Sequence, residues 1–354
     1  MTRNRIRPLL ATLAAAALAL ASVAVAQDRS VKIGVYGGYF KDSFDEHVFP
    51  LFTEETGIAV ESVAEPTGEA WLVQLEAAAR AGQAPADVSM MAQGPLARGI
   101  GSELWVPLDE AALPNLEFMR PQLLNRDAAG RLVGVGAVSW YITLVTNTDV
   151  FPEAPTSWAE LWGDHPNQEG LLALPINSFL LEITATTFFG GTDILDTEEG
   201  ILQVIDKLAE LAPNVQLWYR DEGQFQQALQ SGEIPMGEYY HDVTGLAASD
   251  GFPVRSTFPA EGGVLDSGSW AVTRASTKVP EALEFINWFM QPRVQDLVAR
   301  KLGTAPTVQR EFLTLTDEEF AAVSSDIAPI IPRYDIYLER GDWINQVWSE
   351  RVTR

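Results

Sequence analysis

The sequence predicts an α/β protein of two lobes, with a ligand cleft between them and β-strands that run from one lobe to the other. Short apolar strands alternate with amphipathic helical segments from residue 31 onward, a pattern typical of parallel sheets covered by helices. The length of 354 residues exceeds what a single hydrophobic core usually serves. Two long β-rich stretches, at residues 132–147 and 263–274, suit strands that pass out to the second lobe and back.

The first 26 residues are predicted to be a secretory signal peptide. Arg3, Arg5 and Arg7 form its positive region, an apolar run follows, and Ala24-Val25-Ala26 is a small-residue cleavage pattern. With no cysteine in the chain, a lipid anchor at the cleavage site and a disulfide framework are both excluded. We therefore expect a freely diffusing periplasmic protein that leaves through the general export pathway and loses its signal peptide.

Composition and motifs narrow the function classes. The formal net charge of −24 argues against nucleic acid and anionic membranes as partners. No G-x-S-x-G, H-E-x-x-H, phosphate-loop or dinucleotide-binding glycine motif occurs, and the three histidines are scattered. We therefore expect no enzyme and no cofactor.

The elements of the first lobe follow a strand–helix order. Gly37-Gly38 ends the first strand, Gly57 and Gly82 end helices, and the third strand breaks at Gln93-Gly94-Pro95. The predicted elements are strands at 31–36, 58–63 and 87–91 and helices at 42–56 and 68–81.

The second lobe repeats this alternation. Its predicted elements are a short helix at 156–162, strands at 170–175 and 215–219, and helices at 179–189, 197–211 and 224–230. Helices at 280–290 and 292–302 and a helical tail complete the first lobe. The predicted division is residues 27–139 and 269–354 for the first lobe and 140–268 for the second, with closure about a hinge around a ligand.

Polar side chains gather where the short apolar segment after Ser231 ends. The stretch finishes in Glu238, Tyr239, Tyr240, His241 and Asp242. Ligands of open α/β sheets bind beyond the carboxyl ends of the strands, so this is the first candidate site. The structural alternative is a surface loop with two half-buried tyrosines.

Three charged residues have both a binding and a structural interpretation. Arg220 ends a predicted strand, and its planar guanidinium suits a carboxylate; a surface ion pair with Asp221 or Glu222 is the alternative. Asp242 and Asp266 suit an ammonium group, or else act as turn and cap residues.

Uncharged candidates complete the predicted site. Tyr39, Phe40, Tyr240 and Trp270 are candidates for an aromatic box around a cation, although Trp270 lies mid-strand, where a core role is more usual. Asn177 and Ser178 begin a predicted helix, whose free N–H groups favour anionic ligand groups or need only a cap.

Several stretches resemble the solute-binding proteins of bacterial ABC importers, type II, in the spermidine/putrescine-binding branch. They are YGGYF, VFPLFTEETGIAVE, TSWAELW, SGEIPMG, FPAEGG, ALEFINWFMQPRVQ and LGTAPTVQ, in order from residue 31 to about 309. The resemblance implies a monomeric periplasmic receptor that delivers a small solute to an inner-membrane permease with its ATPase. It also implies ligand contacts at 37–40, 93–95 (including Gly94), 177–179, Tyr240 and 266–268.

Departures from the polyamine-binding pattern point to a different solute. Residues 174–179 lack the carboxylates of polyamine binders, and Tyr240 stands where tryptophan is usual. With Arg220 added, these differences favour a zwitterion such as γ-aminobutyrate over spermidine. The alternative is a ferric-ion receptor that uses Tyr239 and Tyr240, against which adjacent strand residues point to opposite faces.

Overall fold

The computed structural model describes residues 29–66, 69–163, 171–176, 179–219 and 222–353, and it has the predicted α/β fold. The predicted signal peptide lies outside these residues. None of the described helices is both long and apolar enough to cross a bilayer.

Ten strands of the described residues form one sheet. They are β1 (Ser30–Tyr36), β2 (Ala59–Glu65), β3 (Val88–Ala92), β4 (Leu124–Arg126), β5 (Leu132–Asn147), β6 (Leu172–Pro175), β7 (Val215–Tyr219), β8 (Met236–Tyr240), β9 (Val254–Thr257) and β10 (Val264–Val272). The main order is β2-β1-β3-β10-β5-β8-β6-β7, with β4 and β9 also paired to β5. Two parallel sets, β2-β1-β3 and β8-β6-β7, are therefore joined through the antiparallel pair β10 and β5.

Helices cover this sheet. They are α1 (Tyr39–Ser43), α2 (Phe49–Thr56), α3 (Glu69–Arg80), α4 (Gln93–Gly101), α5 (Leu180–Phe189), α6 (Glu198–Ala209), α7 (Glu222–Ser231), α8 (His241–Ser249), α9 (Val279–Phe289), α10 (Pro292–Leu302), α11 (Asp317–Ala321) and α12 (Tyr334–Arg351). A π-helical turn, Phe44–Val48, joins α1 to α2.

Two large hydrophobic cores lie at the two ends of the sheet. The first packs β1, β3 and β10 against α2, α9 and α10, with Phe44, Phe52, Phe285 and Phe289 among its fully buried rings. The second packs β6 and β8 against α5, α6 and α12. Because α12 contributes Ile344 and Val347 to the second core, the C-terminal helix returns to that lobe. The division into lobes at residues 139/140 and 268/269 stays a prediction, and this packing favours placing α12 with the second lobe.

Two of the motifs that carried the family resemblance meet at the second core. Ser157 and Glu160 form a capping box at a short 3₁₀ helix, Trp158–Trp162. The indole N–H of Trp158 donates to the Gly262 carbonyl at 2.8 Å, and the backbone N–H of Trp158 donates to Glu261 at 3.2 Å. TSWAELW and FPAEGG are therefore packing motifs, which hydrogen-bond to each other although they are far apart in sequence.

The third strand ends before Gln93-Gly94-Pro95, as predicted, and these three residues begin α4, which was not predicted. Pro95 lies in the first turn, where a helix has no partner for the N–H that proline lacks. The glycine and proline therefore mark the entry to a helix that starts beside β10.

Candidate functional site

Asp266 occupies the point where the two halves of the sheet meet. It lies on β10 opposite Trp140 of β5, and the side chain is partly buried. Its Oδ1 accepts hydrogen bonds from the Tyr334 hydroxyl at 2.7 Å and from the Ser267 N–H at 2.8 Å. No described donor reaches Oδ2, which keeps contact with solvent. Burial raises the pKa of Asp266 to about 6, although both hydrogen bonds act to lower it.

A second carboxylate lies close by on the side of the second core. Glu182 of α5 is fully buried. Its Oε1 accepts the Arg333 N–H at 2.8 Å, and its Oε2 accepts the Tyr337 hydroxyl at 2.9 Å. Burial raises the pKa of Glu182 in spite of these bonds. Both oxygens of Glu182 are thus already occupied by α12 and the residue before it.

A third carboxylate lies on the side of the first core. Glu65 ends β2 and folds over Gly34 of β1, where a Cβ would stand only 2.1 Å from Glu65 Oε1. Oε1 accepts the Met90 N–H at 3.2 Å, and burial raises the pKa of Glu65 to about 8. Burial and the charges of Glu65 and Asp266 raise the pKa of Tyr36. Its buried hydroxyl has no hydrogen-bond partner among the described residues.

Carboxylates and phenols therefore alternate from the first core to the second. We name this set the acidic row: Glu65, Tyr36, Asp266, Tyr334, Glu182 and Tyr337. Burial and the neighbouring carboxylates raise the pKa of each of its three phenols, so these phenols stay protonated. Tyr334 and Tyr337 donate to Asp266 and Glu182. A partly open row of this kind suits a positively charged ligand group.

Tyr240 lies on the same face of the sheet as Asp266. Across β5, Ile142 pairs with both Tyr240 of β8 and Val264 of β10. Asp266 is two residues beyond Val264, and alternate residues of a strand share a face. Tyr240 and Asp266, both predicted from the sequence, therefore lie on one face of the sheet, with β5 between their strands.

Two further predicted positions lie at the end of the row nearest the first core. Gly94 is in the first turn of α4, and a Cβ built there meets nothing within 4 Å. The preceding Gln93 donates to the hydroxyls of Ser267 and Ser269 at 2.9 Å each, which anchors the helix start beside β10. Phe40 packs edge-on against Tyr36, with ring centroids 5.9 Å apart.

A groove of about 830 Å³ opens at the end of the row nearest the second core. Arg98 of α4 lines this groove together with Phe179, Tyr334 and Tyr337. The groove therefore joins a helix that follows β3 to the aromatic residues at the start of α12.

Two predicted site residues, Trp270 and Tyr239, lie in hydrophobic cores. Trp270 is fully buried, and its ring packs against Phe285 and Phe289, 5.0 and 5.3 Å away between centroids, because its face of β10 is covered by α9. It belongs to the first core and not to an aromatic box. Tyr239 points away from the row into a small core, edge-on to Phe225 at 5.5 Å.

The ferric alternative requires Tyr239 and Tyr240 to bind one ion together. Their ring centroids lie 5.4 Å apart, but Tyr239 is buried in the small core, with 4% of its surface exposed. Within the described residues no group of three or more histidine, aspartate or glutamate side chains is placed to hold a metal.

Other predicted site residues keep the status of predictions. Asn177, Ser178, Arg220 and the side chain of Tyr39 lie outside the described part of the chain. Asp242 is partly buried in the first turn of α8, the helix that begins directly after Tyr240.

Sequence reasoning missed most of the acidic row. Glu182 carried a signal, because it is the one charge in the apolar stretch SFLLEITATTFF. Tyr36 and Glu65 end strands, where site residues are expected. Tyr334 and Tyr337 carried no such signal, since nothing local brings the C-terminal helix to residue 266.

The known proteins to which this chain is similar are solute-binding proteins. The family model described as bacterial extracellular solute-binding protein matches residues 50–322, more than half of the chain. The chain is 25% identical over 296 residues to the gamma-aminobutyric acid-binding protein of Pseudomonas aeruginosa, covering 82% of this chain and 80% of that one. It is 26% identical over 245 residues to the spermidine/putrescine-binding periplasmic protein of Escherichia coli, covering 68% and 67%.

Solved structures show the same fold. An extracellular solute-binding protein from Bordetella parapertussis superimposes with a TM-score of 0.78 at 17% identity, covering 93% of this chain and 100% of its own. The comparisons lend no support to a ferric receptor. The chain belongs to the bacterial extracellular solute-binding protein family and is the substrate-binding component of an ABC transporter.

Proposed function

We propose that this protein captures a small amine-containing solute in the periplasm and delivers it to an inner-membrane ABC permease with its ATPase. It acts as an exported monomer whose lobes close on the solute. The observation that carries the proposal is the open oxygen of Asp266, held at the junction of the two lobes. A carboxylate that is partly buried and has one unbonded oxygen is a strong partner for an ammonium group.

The similar proteins support an amine. One is named for γ-aminobutyrate and another for spermidine and putrescine. An ammonium group on a short methylene chain is what these three solutes share. Phe40 and Tyr240, both candidates for an aromatic box, supply the aromatic surface that such a chain and its charge would contact.

The acidic row favours a solute with one ammonium group over a linear polyamine. Of its three carboxylates, Glu182 has both oxygens occupied and Glu65 is folded inward over Gly34. Asp266 alone of these three offers an oxygen to the solvent. An ω-amino acid such as γ-aminobutyrate needs one such oxygen at its amine end. Arg220, a site residue on sequence grounds, would then hold its carboxylate.

Calorimetric titration of the mature protein, residues 27–354, with γ-aminobutyrate and with putrescine tests the proposal. We expect γ-aminobutyrate to bind, and Asp266→Asn to weaken it at least about tenfold, since hydrogen bonds to charged groups contribute about 1.5–3 kcal/mol. Arg220→Ala and Asp242→Ala test the other predicted contacts.

The matched control is Asp250→Asn, the same change at an exposed residue that follows α8. It should leave the affinity unchanged. Putrescine binding without γ-aminobutyrate binding would overturn the zwitterion proposal but keep the amine, and binding of neither solute would overturn both.

A further inference from the structure

We infer that Tyr334, at the start of the C-terminal helix, is a positioning residue that fixes Asp266 so that its second oxygen faces the solute. The inference rests on the proposed function, because it concerns how the same site presents its carboxylate. Tyr334 is not among the predicted site residues, and it lies 68 residues from Asp266 along the chain.

The first argument is that the two oxygens of Asp266 differ in their hydrogen bonds. The Tyr334 hydroxyl and the Ser267 N–H both donate to Oδ1, at 2.7 and 2.8 Å. Two donors on one oxygen fix the rotation of the carboxylate, and the other oxygen is left at the solvent side. A carboxylate anchored only by the neighbouring N–H would lose this fixed orientation.

The second argument is that Tyr334 is itself held in place. Arg333, the residue before it, donates its backbone N–H to Glu182. The Arg333 guanidinium pairs with Asp196 and Asp335 at 2.8 and 2.7 Å. The Tyr334 ring packs edge-on against Phe179, with centroids 6.1 Å apart. The phenol is thus a rigid support that reaches from the second core to the β10 strand.

The third argument is that α12 offers a matched comparison. Tyr337 lies three residues later on the same helix and donates to Glu182, whose other oxygen is also occupied. Removing either hydroxyl deletes one phenol-to-carboxylate bond from the same helix. Only removal of the Tyr334 hydroxyl acts on a carboxylate that has an open oxygen.

The test compares Tyr334→Phe with Tyr337→Phe, using γ-aminobutyrate titrations from pH 5 to 8. Binding of an ammonium group needs ionised Asp266, so affinity falls as the pH drops through its pKa. Losing a donor disfavours the ionised form, which moves this midpoint upward. We expect Tyr334→Phe to raise the midpoint by about one pH unit and to weaken binding about tenfold at pH 7. Tyr337→Phe should leave both unchanged.

A ligand-free measurement accompanies the titration. Carbon-13 NMR of labelled aspartate, with Asp266→Asn for assignment, follows the ionisation of Asp266 directly. An upward shift in Tyr334→Phe and none in Tyr337→Phe would support the hydrogen bond as the cause. Thermal melts of both variants show whether each folds.

The outcomes separate the two claims. If the wild type binds γ-aminobutyrate and Tyr334→Phe binds it equally well with the same midpoint, the positioning role is overturned and the proposed function stands. The same holds if the two tyrosine variants behave alike. If the wild type binds neither γ-aminobutyrate nor putrescine, the amine proposal falls, and the positioning role falls with it.

Discussion

Gly34→Ala is expected to displace Glu65, the carboxylate of the acidic row that lies nearest the first core. The new methyl would stand 2.1 Å from Glu65 Oε1 and 2.9 Å from its Cδ, closer than any stable contact. Glu65 is buried, with 5% of its surface exposed, so moving its carboxylate breaks the contacts it makes there. The carboxylate must leave its place, and the Met90 N–H then loses the acceptor it has at 3.2 Å.

The magnitude follows from these lost contacts. A buried N–H without a partner costs about 1–3 kcal/mol, and a displaced buried side chain adds to this, so we expect a loss of about 2–4 kcal/mol in the free energy of unfolding. Urea denaturation followed by tryptophan fluorescence measures this loss. Gly57→Ala is a poor control because Gly57 has a positive φ of 70°.

A double-mutant cycle with Glu65→Ala gives the decisive control. Once the Glu65 side chain is shortened, the methyl of Gly34→Ala has room, and the substitution should cost less than about 1 kcal/mol or become slightly stabilising, as Gly→Ala in a strand otherwise is. If Gly34→Ala costs the same in both backgrounds, Glu65 does not pack over Gly34, and the reasoning about the end of the row nearest the first core is refuted.

Two further predictions follow from burial. The pKa of Glu65 is raised from 4.5 to about 8 in the folded state, so the stability that Glu65 contributes is present below pH 4.5 and is lost as the pH rises toward 8. Glu65→Gln should therefore flatten the fall of the urea midpoint over that pH interval. An unchanged slope would contradict this. Trp270→Ala should cost about 3–5 kcal/mol, as expected of a core residue, while the folded fraction keeps its affinity for γ-aminobutyrate; a selective loss of affinity would restore Trp270 to the site.

Much of the fold could be predicted because its signals are local. The strand at residues 132–147 was predicted with the bounds that the structure shows. The helix caps and glycine stops lie within a few residues of the elements that they delimit. The start of α4 was missed because glycine and proline favour both a turn and a first helical turn, and the choice depends on packing beside β10.

The site was less predictable because it depends on contacts between distant residues. Asp266 and Tyr240 were found from strand ends and from the family resemblance, and register places them on one face of the sheet. Trp270 was misplaced because both faces of β10 are buried, so alternation alone does not tell core from cleft. Tyr334 could not be found, since its role exists only after α12 has packed against the second core.

The position of β10 in the sheet has a consequence for the order of folding. β3 and β5 are formed by residues 88–147, yet they are separated by a strand that the ribosome makes only at residues 264–272. The rings of Phe285 and Phe289 that fill the first core come later still. The first core is therefore completed only late in synthesis, whereas most of the second core comes from the continuous stretch between, with α12 added last. Such distant pairings slow folding, and they leave the growing chain without a finished first core until most of it has been synthesised.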